Sequence, residues 1–173
     1  RTGAPRRVMP TMNTLHHSIA IRAPLPRVWD TMLSKPTYEQ WTAAFCEGST
    51  YEGSWETGAS LRFLTPDGMG VSSTIAENRR YQRVSIRHRC EIRGGAEVTE
   101  GEGAHRWAGA RETYEFRALD DGTEVTVEMR APPEYEAFLR DTWPKALAIL
   151  KTLCEDGMPL KAPDMASRRS AAG

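Results

Sequence analysis

The chain has 173 residues and no net formal charge, because 23 lysines and arginines balance 23 aspartates and glutamates. A neutral chain has no overall field that would attract nucleic acid, an anionic membrane or an acidic substrate, so its composition argues against nucleic-acid binding. Its length suits one domain, and a domain of this size buries about 70% of the surface that its unfolded chain exposes.

Two further features of the sequence bear on its compartment. No apolar run approaches the ~20 residues of a membrane span, and the N-terminus lacks the apolar core of a signal peptide. Cys46, Cys90 and Cys154 are odd in number and widely spaced, which is typical of reduced thiols and offers neither a disulfide framework nor a zinc pattern. We therefore expect a cytoplasmic protein without a membrane span.

The first part of the chain predicts a tail, a strand and two short helices. Residues 1–13 are rich in arginine and proline without periodicity, which predicts a disordered tail. Apolar and polar residues alternate from Thr14 to Ala23, as in a half-buried strand. Pro26 suits the first turn of a helix, Pro36 is expected to break it, and Thr37 is predicted to cap a second one.

Six strand-like runs follow, most of them joined by turns short enough for antiparallel hairpins. The runs are Ser49–Trp55, Ala59–Leu64, Val71–Glu77, Arg83–Cys90, Arg111–Leu119 and Glu124–Arg130. The exception is the connection from Glu91 to Ala110, which contains five glycines and four glutamates. A loop of this length is usually a lid or mobile, and here we expect mobility.

The last apolar stretch, from Pro133 to Asp156, predicts one long helix with Gly157 as its stop. Its apolar stripe consists of Tyr135, Phe138, Leu139, Thr142, Ala146, Ile149, Leu150 and Leu153. Pro144 inside the stripe predicts a kink near Trp143, with the half before the kink capping a cavity and the half after it packing on the sheet. Residues 157–173 are predicted to form a second disordered tail.

The order of elements predicts an α+β fold for residues 14–156. It is one strand, two helices, six strands and a long helix. A seven-stranded antiparallel sheet must cover its apolar face, and the last helix is the only element long enough to do so. A curved sheet wrapped around one helix leaves a cavity between the two.

The chain also resembles the helix-grip or SRPBCC superfamily, which includes START lipid-transfer domains and the birch-pollen allergen. Within it, the chain is most similar to the branch named for homology to the activator of the heat-shock chaperone ATPase. The residues that carry the resemblance are Ile21-x-Ala23-Pro24, Arg27-Val28-Trp29-Asp30, Trp41, Gly53-x-Trp55-x-x-Gly58, Trp107-x-Gly109-Ala110-x-Glu112-x-Tyr114-x-Phe116, Gly122-Thr123-x-Val125-x-Val127, Thr142-Trp143-Pro144-Lys145-Ala146-Leu147 and Leu150-Lys151.

The alternation of strand residues predicts which polar side chains enter the interior. His88, Cys90, Glu112 and Tyr114 are expected on the inner faces of adjacent strands, and His17 on that of the first. Because a buried carboxylate needs a partner, Glu112 is expected to pair with His88 or Tyr114. Three roles remain open for this group: an internal hydrogen-bond network, a ligand anchor, or an acid/base pair.

Function is predicted from the cavity rather than from a catalytic motif. The candidate cavity residues are His88, Glu112, Tyr114, Trp41, Phe45, Phe63, Phe116, Tyr135, Phe138 and Thr142. We expect a monomer or weak homodimer that binds a small hydrophobic or amphipathic molecule, with no cofactor. The alternatives are an enzyme of the cyclase or hydratase type, as in some relatives, and a module that interacts with a chaperone. His88 and Cys90 lack a third ligand at diagnostic spacing, so no metal site is expected.

Overall fold

The computed structural model describes residues 11–156, which form a sheet, two short helices on its concave side and a long C-terminal helix. The two predicted tails lie outside the described residues except for positions 11–13, which have no regular structure. The elements are β1 (Thr14–Ile21), α1 (Leu25–Leu33), α2 (Lys35–Trp41), β2 (Thr50–Gly53), β3 (Ser60–Leu64), β4 (Gly70–Arg79), β5 (Arg83–Arg93), β6 (Ala96–Glu97), α3 (Gly101–His105), β7 (Arg111–Leu119), β8 (Gly122–Arg130) and α4 (Glu136–Asp156).

The sheet is antiparallel throughout, in the order β1-β8-β7-β5-β4-β3-β2, and the two-residue strand β6 pairs with β5. The predicted α+β class and the seven long strands around a C-terminal helix are confirmed. Strand β7 has the bounds predicted for it, and in its centre the buried Tyr114 and Phe116 alternate with the exposed Glu115 and Arg117. Its neighbour β8 places Val125, Val127 and Met129 on the buried face.

The connection from Glu91 to Ala110 is not the irregular loop that its glycines predict. β5 continues to Arg93, turns into β6, and is followed by the short helix α3. Ion pairs explain this order: the buried carboxylate of Glu91 lies 2.8 Å from Arg93 Nε and 3.4 Å from Arg106 Nη1. A carboxylate that is removed from water needs such partners, so the two arginines fix the segment in place.

The junction between α1 and α2 also differs from the prediction. Thr37 does not cap α2; the helix begins at Lys35 after Ser34, whose backbone is extended. Pro36 lies in the first turn of α2, where its missing N–H removes no helical hydrogen bond. The proline therefore starts the second helix instead of breaking the first.

Helix α4 extends without interruption through Pro144, preceded by one 3-10 turn over Pro133–Tyr135. Its buried face is rotated from the predicted stripe, because Trp143, Leu147 and Cys154 are buried while Phe138 is 49% exposed. Ile149 and Leu153 are only half-buried. Two adjacent apolar stripes on α4 fit the same helical period. The stripe that contains the large Trp143 ring is the one that packs on the core. The kink at Pro144 stays a prediction.

Polar contacts hold α4 along the first strand and the first helix. Lys151 Nζ donates to the carbonyl oxygen of Ala20 at 2.9 Å, and Arg27 Nε donates to that of Cys154 at 2.8 Å. The C-terminal half of α4 is therefore tied to the sheet at its end, and the pocket described below lies under its N-terminal half.

His17 on β1 predicts a pH dependence of stability. Its Nε2 atom is buried without a hydrogen-bond partner. Burial lowers the pKa of His17, and the positive charges of His16 and Arg140 lower it further. Unfolded histidine titrates near 6.5, so below about pH 6.5 the unfolded chain binds a proton that the folded state does not, and folding stability falls as the pH drops towards the folded pKa.

The free energy of unfolding can be measured with urea at about pH 7 and at about pH 5. We expect its decrease between these two pH values to be smaller in His17→Gln than in the unmodified chain. His105→Gln is the matched control because His105 is exposed on α3, and it should keep the original pH slope. The same slope in His17→Gln and in the unmodified chain would contradict the prediction.

Candidate functional site

A partly open pocket of about 270 Å³ lies between the sheet and the N-terminal half of α4. Helix α2 and the 3-10 turn Thr42–Ala44 form one wall, and β3 and β4 form another. Tyr135, Phe138, Leu139 and Trp143 close the pocket from the side of α4.

Nine of the lining residues are phenylalanine, tryptophan or tyrosine, and several of their rings pack in two connected groups. In one, Trp107 stacks on Tyr135 with ring centroids 5.1 Å apart and contacts His88 at 5.4 Å. In the other, Trp143 contacts Phe45 at 5.0 Å and Trp41 at 5.9 Å. These separations are typical of edge-to-face and offset aromatic pairs, which fix the rings relative to one another. The wall is therefore preformed.

Eight of the ten residues predicted from the sequence line this pocket. They are His88, Glu112, Tyr114, Trp41, Phe45, Phe63, Tyr135 and Phe138. Phe116 lies instead beneath α1, where its ring centroid is 4.9 Å from that of Trp29. Thr142 is buried on α4, but the neighbouring Trp143 occupies the wall. The second difference follows from the rotation of the buried face of α4.

A chain of four polar side chains crosses the inner end of the pocket. Ser73 Oγ and His88 Nδ1 share a hydrogen bond of 2.7 Å, and His88 Nε2 lies 3.3 Å from Glu112 Oε2. The other carboxylate oxygen of Glu112 accepts a hydrogen bond from the Tyr114 hydroxyl. Glu112 thus has both of the partners considered from the sequence. Its side chain keeps 12% of its surface exposed, whereas that of His88 keeps 3%.

Neighbouring strands bring these four polar side chains together. His88 lies near the end of the β5–β7 ladder, where its N–H donates to the carbonyl oxygen of Ala110 at 3.1 Å. Glu112 and Tyr114 follow on β7 at a spacing of two, so both project from the same face. Ser73 is the partner of His88 on β4. Three strands therefore each contribute to one polar group.

Two tyrosines of the pocket stay uncharged. Burial raises the pKa of Tyr114 and of Tyr38 well above the usual value, and the charge of Glu112 raises both further. A phenol that keeps its proton can donate it in a hydrogen bond, as Tyr114 does to Glu112. The hydroxyl of Tyr114 is therefore a permanent donor to the carboxylate over the physiological pH range.

Cys90 does not join His88 in the interior, contrary to the prediction. The ladder between β4 and β5 shifts register here, with Ser73 opposite His88 but Ser72 opposite Cys90. An extra residue in one strand reverses the faces of all residues beyond it. Cys90 consequently shares the outer face with Ser72, and alternation alone carries no signal for such a bulge.

Three aromatic residues of the wall are absent from the sequence-based set of candidates, namely Tyr38, Trp107 and Trp143. Tyr38 precedes Trp41 by three residues on α2, a spacing that puts both on one face of the helix and could have identified it. Trp107 and Trp143 lie within segments that carry the family resemblance, but a motif does not tell a core ring from a pocket ring.

Within residues 11–156, no group of three or more histidine, cysteine, aspartate or glutamate side chains is arranged to hold a metal ion. None of the helices in this range is both long and apolar enough to cross a membrane. The pocket is lined by aromatic and aliphatic side chains, by the imidazole of His88 and the carboxylate of Glu112, and by several hydroxyl and thiol side chains.

Comparison with known proteins gives a family and a fold. Residues 22–155 match the model of a family described as Activator of Hsp90 ATPase homolog 1-like protein. No curated protein matches the chain in sequence. Protein MLL2253 from Mesorhizobium loti is 12% identical with a TM-score of 0.67, and the match covers 85% of this chain and 100% of that one.

Two other solved structures have the same fold. The Aha1 dimer from Colwellia psychrerythraea is 16% identical with a TM-score of 0.62, covering 86% of this chain and 100% of that one. CalU16 from Micromonospora echinospora is 15% identical with a TM-score of 0.57, covering 83% and 76%. At such identities the likeness concerns the fold alone.

Proposed function

The chain belongs to the family of Activator of Hsp90 ATPase homolog 1-like proteins, and from that premise we propose that it binds a small apolar or amphipathic molecule in the pocket beneath α4. The observation that carries the proposal is the combination of preformed aromatic walls with one polar group at the inner end. Ligand sites in proteins are generally concave, mostly apolar and equipped with a few polar groups that orient the ligand. The fold family is commonly ligand-binding, which supports the same function.

The size of the pocket restricts the ligand. Sites for drug-sized molecules occupy about 300 to 1,000 Å³, and the pocket has about 270 Å³. A single ring system or a short chain suits this volume, whereas a lipid with two acyl chains does not. Affinity would come mainly from apolar surface removed from water, at about 25 cal/mol per Å².

The surface gives less support for a module that docks on a chaperone. Among the residues that the structure describes, the exposed large hydrophobic side chains are Met69 and Phe138. Phe138 belongs to the wall of the pocket, and two single residues do not make the contiguous apolar patch of a docking surface. The pocket therefore carries the proposal, and the surface does not.

A cavity-filling variant tests the proposal. Val71 on β4 is half-buried and lines the pocket, so Val71→Phe should place a ring in the ligand's space. With the neutral fluorescent probe 1-aminoanthracene, we expect the variant to bind at least about tenfold more weakly than the unmodified chain, which corresponds to about 1.4 kcal/mol. Fluorescence titration measures both affinities, and native mass spectrometry should show any co-purified molecule lost from the variant.

Ser60→Phe is the matched control, since it adds the same ring at an exposed position of β3. It should bind the probe like the unmodified chain, and both variants should keep a cooperative thermal transition. Equal binding of the probe by Val71→Phe and by the unmodified chain would mean that the pocket is not the binding site.

A further inference from the structure

The electrostatic character of the pocket is fixed by very few groups. Among residues 11–156, no lysine or arginine contributes to its wall. The two tyrosines beside Glu112 are uncharged phenols, which leaves Glu112 and His88 as the pair that sets the charge at its inner end. When Glu112 is ionised, a neutral imidazole leaves this pair with one negative charge and a protonated imidazole leaves it neutral. The ionised carboxylate therefore gives the inner end no excess of positive charge.

Arg106, the arginine that contacts the pocket residue Tyr135, does not change this balance. Its guanidinium is engaged by three carboxylates outside the pocket, those of Glu91, Glu102 and Glu134, at 3.4 to 4.0 Å. An anionic ligand would thus meet the carboxylate of Glu112 without a free cation to offset it. Desolvating an unpaired charge beside a like charge is costly, so anionic ligands are disfavoured.

The aromatic rings favour the opposite sign of charge. Cations are attracted to the faces of tryptophan and tyrosine rings, and aromatic cages that bind quaternary ammonium groups use this attraction. Trp41, Trp107 and Trp143, with Tyr38 and Tyr135, supply such rings around one pocket. A carboxylate at the inner end adds a charge-assisted acceptor for a cationic head group.

Glu112 retains capacity for a ligand. An ionised carboxylate offers about four acceptor positions, and the described contacts use one oxygen for Tyr114 and place the other beside His88. The His88 Nε2 contact lacks the geometry of a full hydrogen bond. The exposed 12% of the side chain faces the pocket that Glu112 lines, so acceptor positions remain for a donor on the ligand.

We propose that the pocket selects compact organic cations, such as aryl or alkyl amines and quaternary ammonium compounds, over neutral and anionic molecules of the same size. This inference rests on the proposed ligand-binding function and names the class of ligand. Aromatic faces would hold the apolar part and the cationic head group, and Glu112 would balance the charge. His88 and Tyr114 would act as positioning residues that hold the carboxylate.

A ligand series of one skeleton tests the inference on the intact chain. Benzylammonium, benzyl alcohol and phenylacetate carry positive, zero and negative charge on frames of similar size, and benzylammonium also has N–H donors for Glu112. Quenching of tryptophan fluorescence or calorimetric titration gives the three dissociation constants. We expect the cation to bind at least tenfold more tightly than the alcohol, and phenylacetate to bind most weakly. Glu112→Gln, which keeps an acceptor for Tyr114, should reduce the cation's advantage over the alcohol about tenfold and leave the alcohol's affinity within about threefold.

Glu128→Gln is the matched control. Glu128 also lies beside a histidine, with Oε2 at 3.7 Å from His16 Nδ1, but on the exposed face of the sheet. The Glu128→Gln variant should bind the three ligands in the same order of affinity as the unmodified chain. Should Glu112→Gln fail to fold, the series on the unmodified chain still decides the inference.

The outcomes separate the two proposals. Phenylacetate or benzyl alcohol binding as tightly as the cation, with all three competing with 1-aminoanthracene, would overturn the charge preference while leaving ligand binding intact. An equal loss of cation affinity in Glu128→Gln and Glu112→Gln would assign the effect to overall charge and overturn the role of Glu112. Absence of binding by the whole series and by 1-aminoanthracene would contradict both proposals.

Discussion

Trp143→Ala is expected to lower the free energy of unfolding by about 3 to 5 kcal/mol, the range for removing a fully buried large aromatic side chain. Trp143 is 2% exposed and its ring contacts those of Trp41, Phe45 and Tyr114. These rings belong to three different parts of the fold, so alanine would leave a cavity that the surroundings fill only in part. Urea unfolding monitored by far-UV circular dichroism gives the difference.

Phe138→Ala is the control for this prediction. Phe138 is on the same helix and also lines the pocket, but half of its surface is exposed. Its removal is expected to cost about 1 kcal/mol, well below the cost for Trp143, because only half of its surface is withdrawn from water. Similar losses in Phe138→Ala and Trp143→Ala would mean that the tryptophan does not join α4 to the core.

Glu112→Ala is expected to lower the free energy of unfolding by about 2 to 4 kcal/mol. The substitution leaves the buried Tyr114 hydroxyl without an acceptor and removes the carboxylate beside His88 Nε2, and a buried polar group left unpaired costs about 1 to 3 kcal/mol. Tyr114→Phe removes only the donor and should cost about 1 to 2 kcal/mol. The double variant should be less destabilised than the sum of the two single variants by about 1 to 2 kcal/mol, as measured by a double-mutant cycle with urea.

Glu115→Ala provides the comparison on the same strand. Glu115 points to the outer face, where 55% of its side chain is exposed and it pairs with Arg83. Exposed ion pairs contribute about 0 to 1 kcal/mol. Additive effects of Glu112→Ala and Tyr114→Phe, or a loss in Glu115→Ala as large as that in Glu112→Ala, would show that the polar chain does not act as a connected unit.

The polar chain illustrates how far strand periodicity carries a prediction. His88, Glu112 and Tyr114 were expected on one face because alternation over β5 and β7 is regular up to His88, and the structure brings them together. Cys90, only two residues further, was placed on the wrong face because the register shift lies between it and His88. A bulge depends on how two strands meet, so the sequence of one strand does not reveal it.

The long helix illustrates the same limit for helical periodicity. Apolar spacing of three and four residues identified α4, yet two neighbouring stripes satisfied it. The choice between Phe138 and Trp143 as the buried ring depends on the elements that the helix packs against, here Trp41 and Tyr114. The structure of the segment from Glu91 to Ala110 likewise could not be predicted from the sequence. Glu91 and Arg106 are fifteen positions apart, and their ion pair forms only in the folded chain.

The sequence by itself determined the class of the fold, the seven main strands with most of their inner faces, and eight of the residues around the pocket, because these depend on local alternation and on the short turns between neighbours. Only the tertiary structure decided which rings form the wall, where the register shifts, and that a single carboxylate lies in a pocket whose described lining contains no lysine or arginine. Those properties arise from side chains that are distant in sequence and adjacent in space. The charge of the pocket, and with it the proposed preference for cations, is therefore a property of packing rather than of any one stretch of the chain.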